Sequence, residues 1–239
     1  MKETVQELDG EWRIRLEGVS KSFASGGERV EPLRDVTWGL KKGEFAVMTG
    51  PSGSGKSTLL YIAGLLLPAD AGKVWWGGRE VSAAGDRERS ALRRDSLGMV
   101  FQAFHLLWGR SVLENVLFRF RYLPAGRRDA RRERAAAMEA LERVGLADKA
   151  GRPARALSAG EAQRAAIARA VVLPPLALLA DEPTGNLDGA SAEKVMGIFR
   201  ELNREGMSIL LVTHNRAWVG EGTVHWELAG GRPVRGDGT

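Results

Sequence analysis

Apolar and polar residues alternate from Glu11 to Val19, and shorter alternating stretches follow over Val30–Leu40 and Lys73–Trp76. Alternation marks strands with one covered face, so these segments predict an antiparallel sheet beside the main core. Phe45–Thr49 differs: it is apolar throughout, as a strand buried on both faces must be. It runs into a glycine-rich turn, and a helix is expected from Ser57 to about Leu66, ending before Pro68. In the middle third the period lengthens to that of a helix. Val112–Arg121 and Arg127–Val144 are alanine-rich with recurring Leu, Met and Val, and Gly160–Val172 follows with Ser158 in a capping position. Two further apolar strands, Leu176–Ala180 and Ser208–Thr213, flank a helix over Ala190–Glu205. Strand–helix–strand order with all-apolar strands predicts an α/β fold around a parallel sheet covered on both faces.

Composition narrows this only a little. The 239 residues are 44% hydrophobic and 27% charged, ordinary for a globular chain. There is no cysteine, which excludes a disulfide framework and a thiolate metal site. Met1 to Arg15 carries charges throughout and lacks the apolar centre of a secretion signal. The longest apolar run, Val171–Ala180, is broken by Pro174 and Pro175, so no membrane span is expected. Much of the net charge of +5 sits in one run: Arg119, Arg121, Arg127, Arg128, Arg131, Arg132 and Arg134. Such a run invites a nucleic-acid or anionic-lipid partner. Acidic and alanine residues interleave it, so it reads first as a solvated helix face, and no nucleic acid is expected as a partner.

The chemistry begins after Phe45–Thr49. Gly50-Pro51-Ser52-Gly53-Ser54-Gly55-Lys56-Ser57-Thr58 has the spacing of a phosphate-binding loop, with a strand before it and a helix after it. Glycines let successive N–H groups converge on phosphate oxygens, and the start of the helix adds its positive end. Lys56 would reach the β- and γ-phosphates, and Ser57 would place its hydroxyl on Mg²⁺. The loop alone does not separate a kinase, a GTPase and a motor.

Leu176–Ala180 ends in two adjacent carboxylates, Asp181 and Glu182. Side chains alternate along a strand, so the two should point different ways. Asp181 can then manage the Mg²⁺ shell while Glu182 faces an attacking water. The bland alternative is a pair of loop acids at a strand end. Ser208–Thr213 ends at His214. A lone histidine is usually structural or exposed, but the carboxyl end of a strand is where ligands bind in open α/β sheets.

Beyond these motifs, Leu157-Ser158-Ala159-Gly160-Glu161, with Ala162-Gln163-Arg164 and Ile167-Ala168-Arg169-Ala170, resembles the signature segment of ABC transporter ATPases. The resemblance covers almost the whole chain. It implies a P-loop fold with a RecA-like parallel-sheet core, an N-terminal antiparallel β subdomain and an inserted α-helical subdomain. The expected division is a single domain over 1–239, with 1–102 and 174–239 forming the β subdomain and nucleotide core and 103–173 the helical subdomain. By the same resemblance ATP and Mg²⁺ are the ligands, and Ser158 and Gly160 meet the γ-phosphate held by a second copy. Gln102 senses Mg²⁺ and contacts a transmembrane permease subunit. Asp188 lies in the loop that crosses the pair, Glu182 is the general base, and His214 is the switch histidine. Phe23 stands where an aromatic stacks on adenine, though an apolar ring there also has a plain packing explanation. The place implied is the cytoplasmic face of the inner membrane, peripheral.

Ala180–Asp188, Phe101–Leu107 and Leu113–Val116 are similar to the subgroup of lipoprotein-release, macrolide-export and cell-division ATPases. Three positions and one segment depart from the pattern. Ala159 replaces a glycine, Ala162 replaces a frequent basic residue, and Asn215 follows His214 in place of aspartate. Ala217–Glu227 lacks the usual acidic–basic pair. Other bearers of this nucleotide fold fit less well. Chromosome-associated ATPases carry long heptads or zinc modules, translation-associated ones carry two ATPase units, and a soluble nucleotide kinase lacks the Leu157–Glu161 segment.

Overall fold

The computed structural model describes residues 11–25 and 28–236. The reading of Met1–Arg15 lies mostly outside them. Two sheets form the frame. The first has four antiparallel strands in the order β2 (Glu28–Lys41), β1 (Trp12–Ser25), β4 (Ala71–Trp76) and β5 (Arg79–Glu80). The second has six, ordered β10 (Arg232–Arg235), β9 (Val224–Ala229), β3 (Phe45–Thr49), β8 (Ser208–Val212), β7 (Ala177–Asp181) and β6 (Leu97–Phe101). From β9 to β6 the pairs are parallel, and β10 closes the edge antiparallel to β9.

Strand alternation divides the interior in two. Ala46, Met48, Ala177, Leu179, Leu210 and Val212 point into a cluster shared with β1, β2 and α1 (Lys56–Ala63). The residues between them, Phe45, Val47, Leu178, Ala180, Ile209 and Leu211, point to the opposite cluster. That cluster is built by α3 (Val112–Leu117), α4 (Ala130–Arg143), α5 (Ala159–Val171) and α6 (Gly189–Arg204). All three central strands are buried along their whole length, as a parallel sheet with two covered faces requires.

Several boundaries differ from the sequence reading for local reasons. The helix expected to reach Leu66 ends at Ala63. Leu65 takes the left-handed conformation (φ 57°), and the N–H groups of Leu66 and Leu67 turn back to the Tyr61 carbonyl. Only Val112–Leu117 of the Val112–Arg121 segment is α-helical, and Phe118–Tyr122 tightens to a 3₁₀ turn. An additional helix, α2 (Asp86–Ser96), carries seven charged residues and buries none of its residues. No apolar stripe announces it.

The arginine run is only partly a solvated face. Arg119 turns inward, and its guanidinium donates to the carbonyls of Arg93, Arg94 and Leu97 at the end of α2. Burial pushes its pKa down. Arg127 pairs with Asp95 at 3.0 Å, and Arg128 grips Glu133 with two bonds of 2.8 and 2.9 Å. No helix among the described residues is long and apolar enough to cross a membrane.

Candidate nucleotide site

β3 delivers the chain into the loop, and α1 begins at Lys56. Gly55 is the N-cap of α1 with φ 101°, and a β-carbon there would lie 2.3 Å from the Pro32 carbonyl oxygen. Only glycine fits so close an approach of two backbones. Pro51, Ser52 and Gly53 form the exposed crest, Gly55 and Lys56 are buried, and Ser57 and Thr58 are half-buried. The Lys56 ammonium donates to the carbonyls of Gly50 and Pro51, 2.9 Å each, which holds it over the loop. The Ser54 hydroxyl is buried with no partner among the described residues. A loop with an ammonium curled over it, an unpaired buried hydroxyl and an uncapped helix start suits a phosphate chain.

β7 brings the two acids to the next strand end but one, and they separate. Asp181 Oδ1 accepts from the Ser57 hydroxyl at 3.1 Å. Burial raises the Asp181 pKa, and hydrogen bonds from Ser57 and Tyr61 pull against it. Tyr61 is raised in turn by its own burial and by the Asp181 charge. Glu182 turns the other way because its backbone is left-handed (φ 49°), an unfavourable conformation for a side chain of this kind. Its N–H is anchored to the Val212 carbonyl at 2.9 Å. Asp181 is paired with Val212 in the sheet, so the turn sends Glu182 across to the end of β8. There one oxygen accepts from the Thr213 hydroxyl at 3.0 Å. The other accepts from the His214 N–H at 2.7 Å and meets His214 Nδ1 at 2.8 Å. The His214 ring stays largely exposed.

Gln102 follows β6, but it is not hydrogen-bonded to the Ser57–Asp181 pair. Its amide donates to Asn186 Oδ1 at 3.1 Å, and Asn186 Nδ2 donates to the Gln102 carbonyl at 3.2 Å. Asp188 caps α6, its two oxygens accepting from the Ser191 N–H and hydroxyl at 2.8 Å each, and these bonds lower its pKa.

Ser158 caps α5 in a reciprocal pair. Its hydroxyl accepts from the Glu161 N–H at 3.3 Å, and the Glu161 carboxylate accepts from the Ser158 N–H at 3.0 Å. Lys149 forms an ion pair with the same carboxylate. Ala159 is the first residue of α5 and lies outside the left-handed region, so the missing glycine causes no backbone strain. Gly160 lies against α6: a β-carbon there would be 2.6 Å from the Ser191 hydroxyl. The segment from Ser158 to Gly160 thus adjoins Asp188–Ser191, and no hydrogen bond among the described residues joins it to Gly50–Thr58.

Phe23 lies on β1, 41% exposed and outside both core clusters. Lys21 places its ammonium 5.6 Å from the ring centre and pairs with Asp70 at 2.6 Å. The Lys21 bond, helped by two bonds from Ser22, lowers the Asp70 pKa to about 2. Sequence reasoning missed Tyr61, Thr213 and Asn186. Thr213 had a signal in its place at a strand end beside His214, whereas the other two had none beyond lying near a motif.

An apolar parallel strand, a glycine loop opening a helix, and a strand-end acid bonded to that helix's serine together define a P-loop nucleotide-binding protein. Within this class, the profile of the ABC transporter family matches residues 33–185, and the chain belongs to that family, as one of its ATPase cassettes. Relatives include the cell division ATP-binding protein FtsE of Escherichia coli (strain K12), 46% identical over 84% of this chain and 88% of that protein. The lipoprotein-releasing system ATP-binding protein LolD of Aquifex aeolicus is also 46% identical, over 85% and 88% respectively. Among solved structures, a dimeric bacterial ABC transporter cassette, MJ0796, superposes with a TM-score of 0.85. It is 35% identical, and the match covers 95% of this chain and all of that one.

Proposed function

We propose that this chain is the ATP-hydrolysing subunit of a transporter complex and works as a pair of copies with two ATP molecules between them. The observation that carries the reading is a separation within one chain. The loop, Asp181 and Glu182 gather at the ends of β3, β8 and β7, while the capped end of α5 adjoins α6 instead. A second copy supplies the missing half, and the solved dimeric relative supports this arrangement.

In this reading Gly50–Thr58 binds the phosphates, with Lys56 countering their charge and Ser57 and Asp181 offering a hydroxyl and a carboxylate to Mg²⁺. Phe23 stacks on the base. Ser158 and Gly160 of one copy face the nucleotide of the other, and Asp188 lies beside them at the crossing. Glu182 takes the proton of the attacking water, held for that task by Thr213 and His214. Gln102, bonded to Asn186 in this structure, would be the residue that senses the metal beside the nucleotide. Residues 103–173 form the arm that moves against 1–102 and 174–239 and passes the movement to a membrane permease.

Within the family we place the chain with the lipoprotein-release, macrolide-export and cell-division ATPases. The shared segments Phe101–Leu107 and Ala180–Asp188 and the relatives above support that placement. Glu182→Gln protein held with ATP, co-purified from detergent-extracted membranes, tests it. Recovery of a permease with few spans and a large extracytoplasmic domain supports the subgroup and an export or release task at the cytoplasmic membrane face. A many-span permease keeps the transporter and discards the subgroup, and nucleic acid alone overturns both.

A further inference from the structure

We infer that Gln163 is a positioning residue that fastens α5 to the two loops carrying Gln102 and Glu182. Its side chain is fully buried under the parallel sheet. The amide nitrogen donates to two backbone carbonyls, Phe101 at 3.1 Å and Pro183 at 2.7 Å. Phe101 ends β6 and immediately precedes Gln102, and Pro183 immediately follows Glu182. One amide thus spans the exits of two adjacent strands, at the places where the candidate metal-sensing residue and the candidate base leave the sheet.

Two features separate this from ordinary core filling. Gln163 Oε1 is buried and has no donor among the described residues. The reverse amide orientation would set oxygen against two carbonyls, so the side chain is held for its two donor bonds while its acceptor stays unused. An unsatisfied buried acceptor is unfavourable and calls for a compensating role. Arg169, further along α5, also donates to carbonyls after Gln102, those of Phe104 and His105, but among the described residues of α5 it is Gln163 whose side chain bonds both strand exits. Gln163 lies one helical turn from Gly160, on the helix whose first turn carries Ser158 as its cap.

The consequence rests on the two-copy reading. When the start of α5 meets the nucleotide of a second copy, the displacement reaches Phe101 and Pro183 of its own chain through Gln163. One site is thereby linked to the other without any contact between their ligands.

Gln163→Met tests this, because it keeps length and apolar bulk and removes both donors. Gln163→Asn keeps the amide but is one methylene short, and serves if the first variant does not fold. In the free protein, amide exchange at Gln102–Ala103 and Thr184–Gly185 should quicken about fivefold or more while β3 and β8 keep their protection. ATP turnover should fall about tenfold with KM within about twofold, and Gln163→Asn should lie between. Unchanged exchange, or a turnover loss that merely follows the fall in melting temperature, overturns the assignment. If the parent protein turns over ATP without pairing and Gln163→Met is still slower, Gln163 keeps its role and the two-copy reading fails.

Discussion

The ends of β7 and β8 and the start of α5 both hold polar groups where a charged ligand can meet them, but they do so by different means. At the strand ends, sheet register and a left-handed residue aim Glu182 at Thr213 and His214, while Asp181 faces Ser57. Those contacts link residues far apart in sequence and need the finished sheet. At α5 the holding is local. Ser158 and Glu161 cap each other three residues apart, and Gly160 fits against Ser191 by lacking a side chain. The strand-end site has its acids, hydroxyl and ammonium in one chain. The helix end is satisfied as a cap but adjoins none of them, which is why a second copy enters the account.

The contrast is sharpest at Glu182. Glu182→Gln should retain nucleotide binding and lose turnover by about 10²- to 10⁴-fold, the usual worth of a positioned base. Unchanged turnover measured by phosphate release would remove it as the base. Lys56→Ala should instead weaken ATP binding by about 10- to 100-fold, since a charge-assisted hydrogen bond is worth about 1.5–3 kcal/mol. Calorimetric titration reads this directly, and equal affinity would sink the phosphate assignment.

At the helix end the effect is steric. Gly160→Ala should lower stability by about 1–3 kcal/mol, because the new methyl group meets Ser191, and Ser191→Gly should recover part of the loss. Additive losses in urea unfolding would show that the fit is unimportant. The smallest effect is expected at Asp70. Its folded pKa of about 2 lies below the ordinary 3.8, so its contribution is present above the ordinary value and lost as pH falls toward 2. The pair is partly exposed, which limits the size of the effect. Asp70→Asn should therefore flatten the acid limb of the stability profile, and an unaltered limb would count against the Lys21 tie.

What was legible in the sequence follows the same division. Phe45–Thr58 announces itself because an apolar strand, three glycines and Lys56-Ser57 are all local features. The antiparallel strands were visible by alternation, although β1 runs on to Ser25. α2 was not legible, since a helix that buries none of its residues has no apolar period to read. Arg119 was misjudged for a related reason: charge patterning says nothing of three carbonyls gathered at the end of α2. The left-handed turn at Glu182 and the reach of Gln163 to two strand exits depend on tertiary placement, which one sequence does not display.

The most direct test of the account is sedimentation of Glu182→Gln protein with ATP, with ADP, and with ATP after adding Gly160→Asp. The account predicts a pair of copies with ATP and single copies with ADP. It predicts single copies again with Gly160→Asp, because the introduced side chain meets Ser191 beside Asp188 and displaces the start of α5 from the nucleotide. A pair that forms equally with ADP, or that survives Gly160→Asp, would contradict the claim that ATP joins the loop of one copy to the α5 end of another.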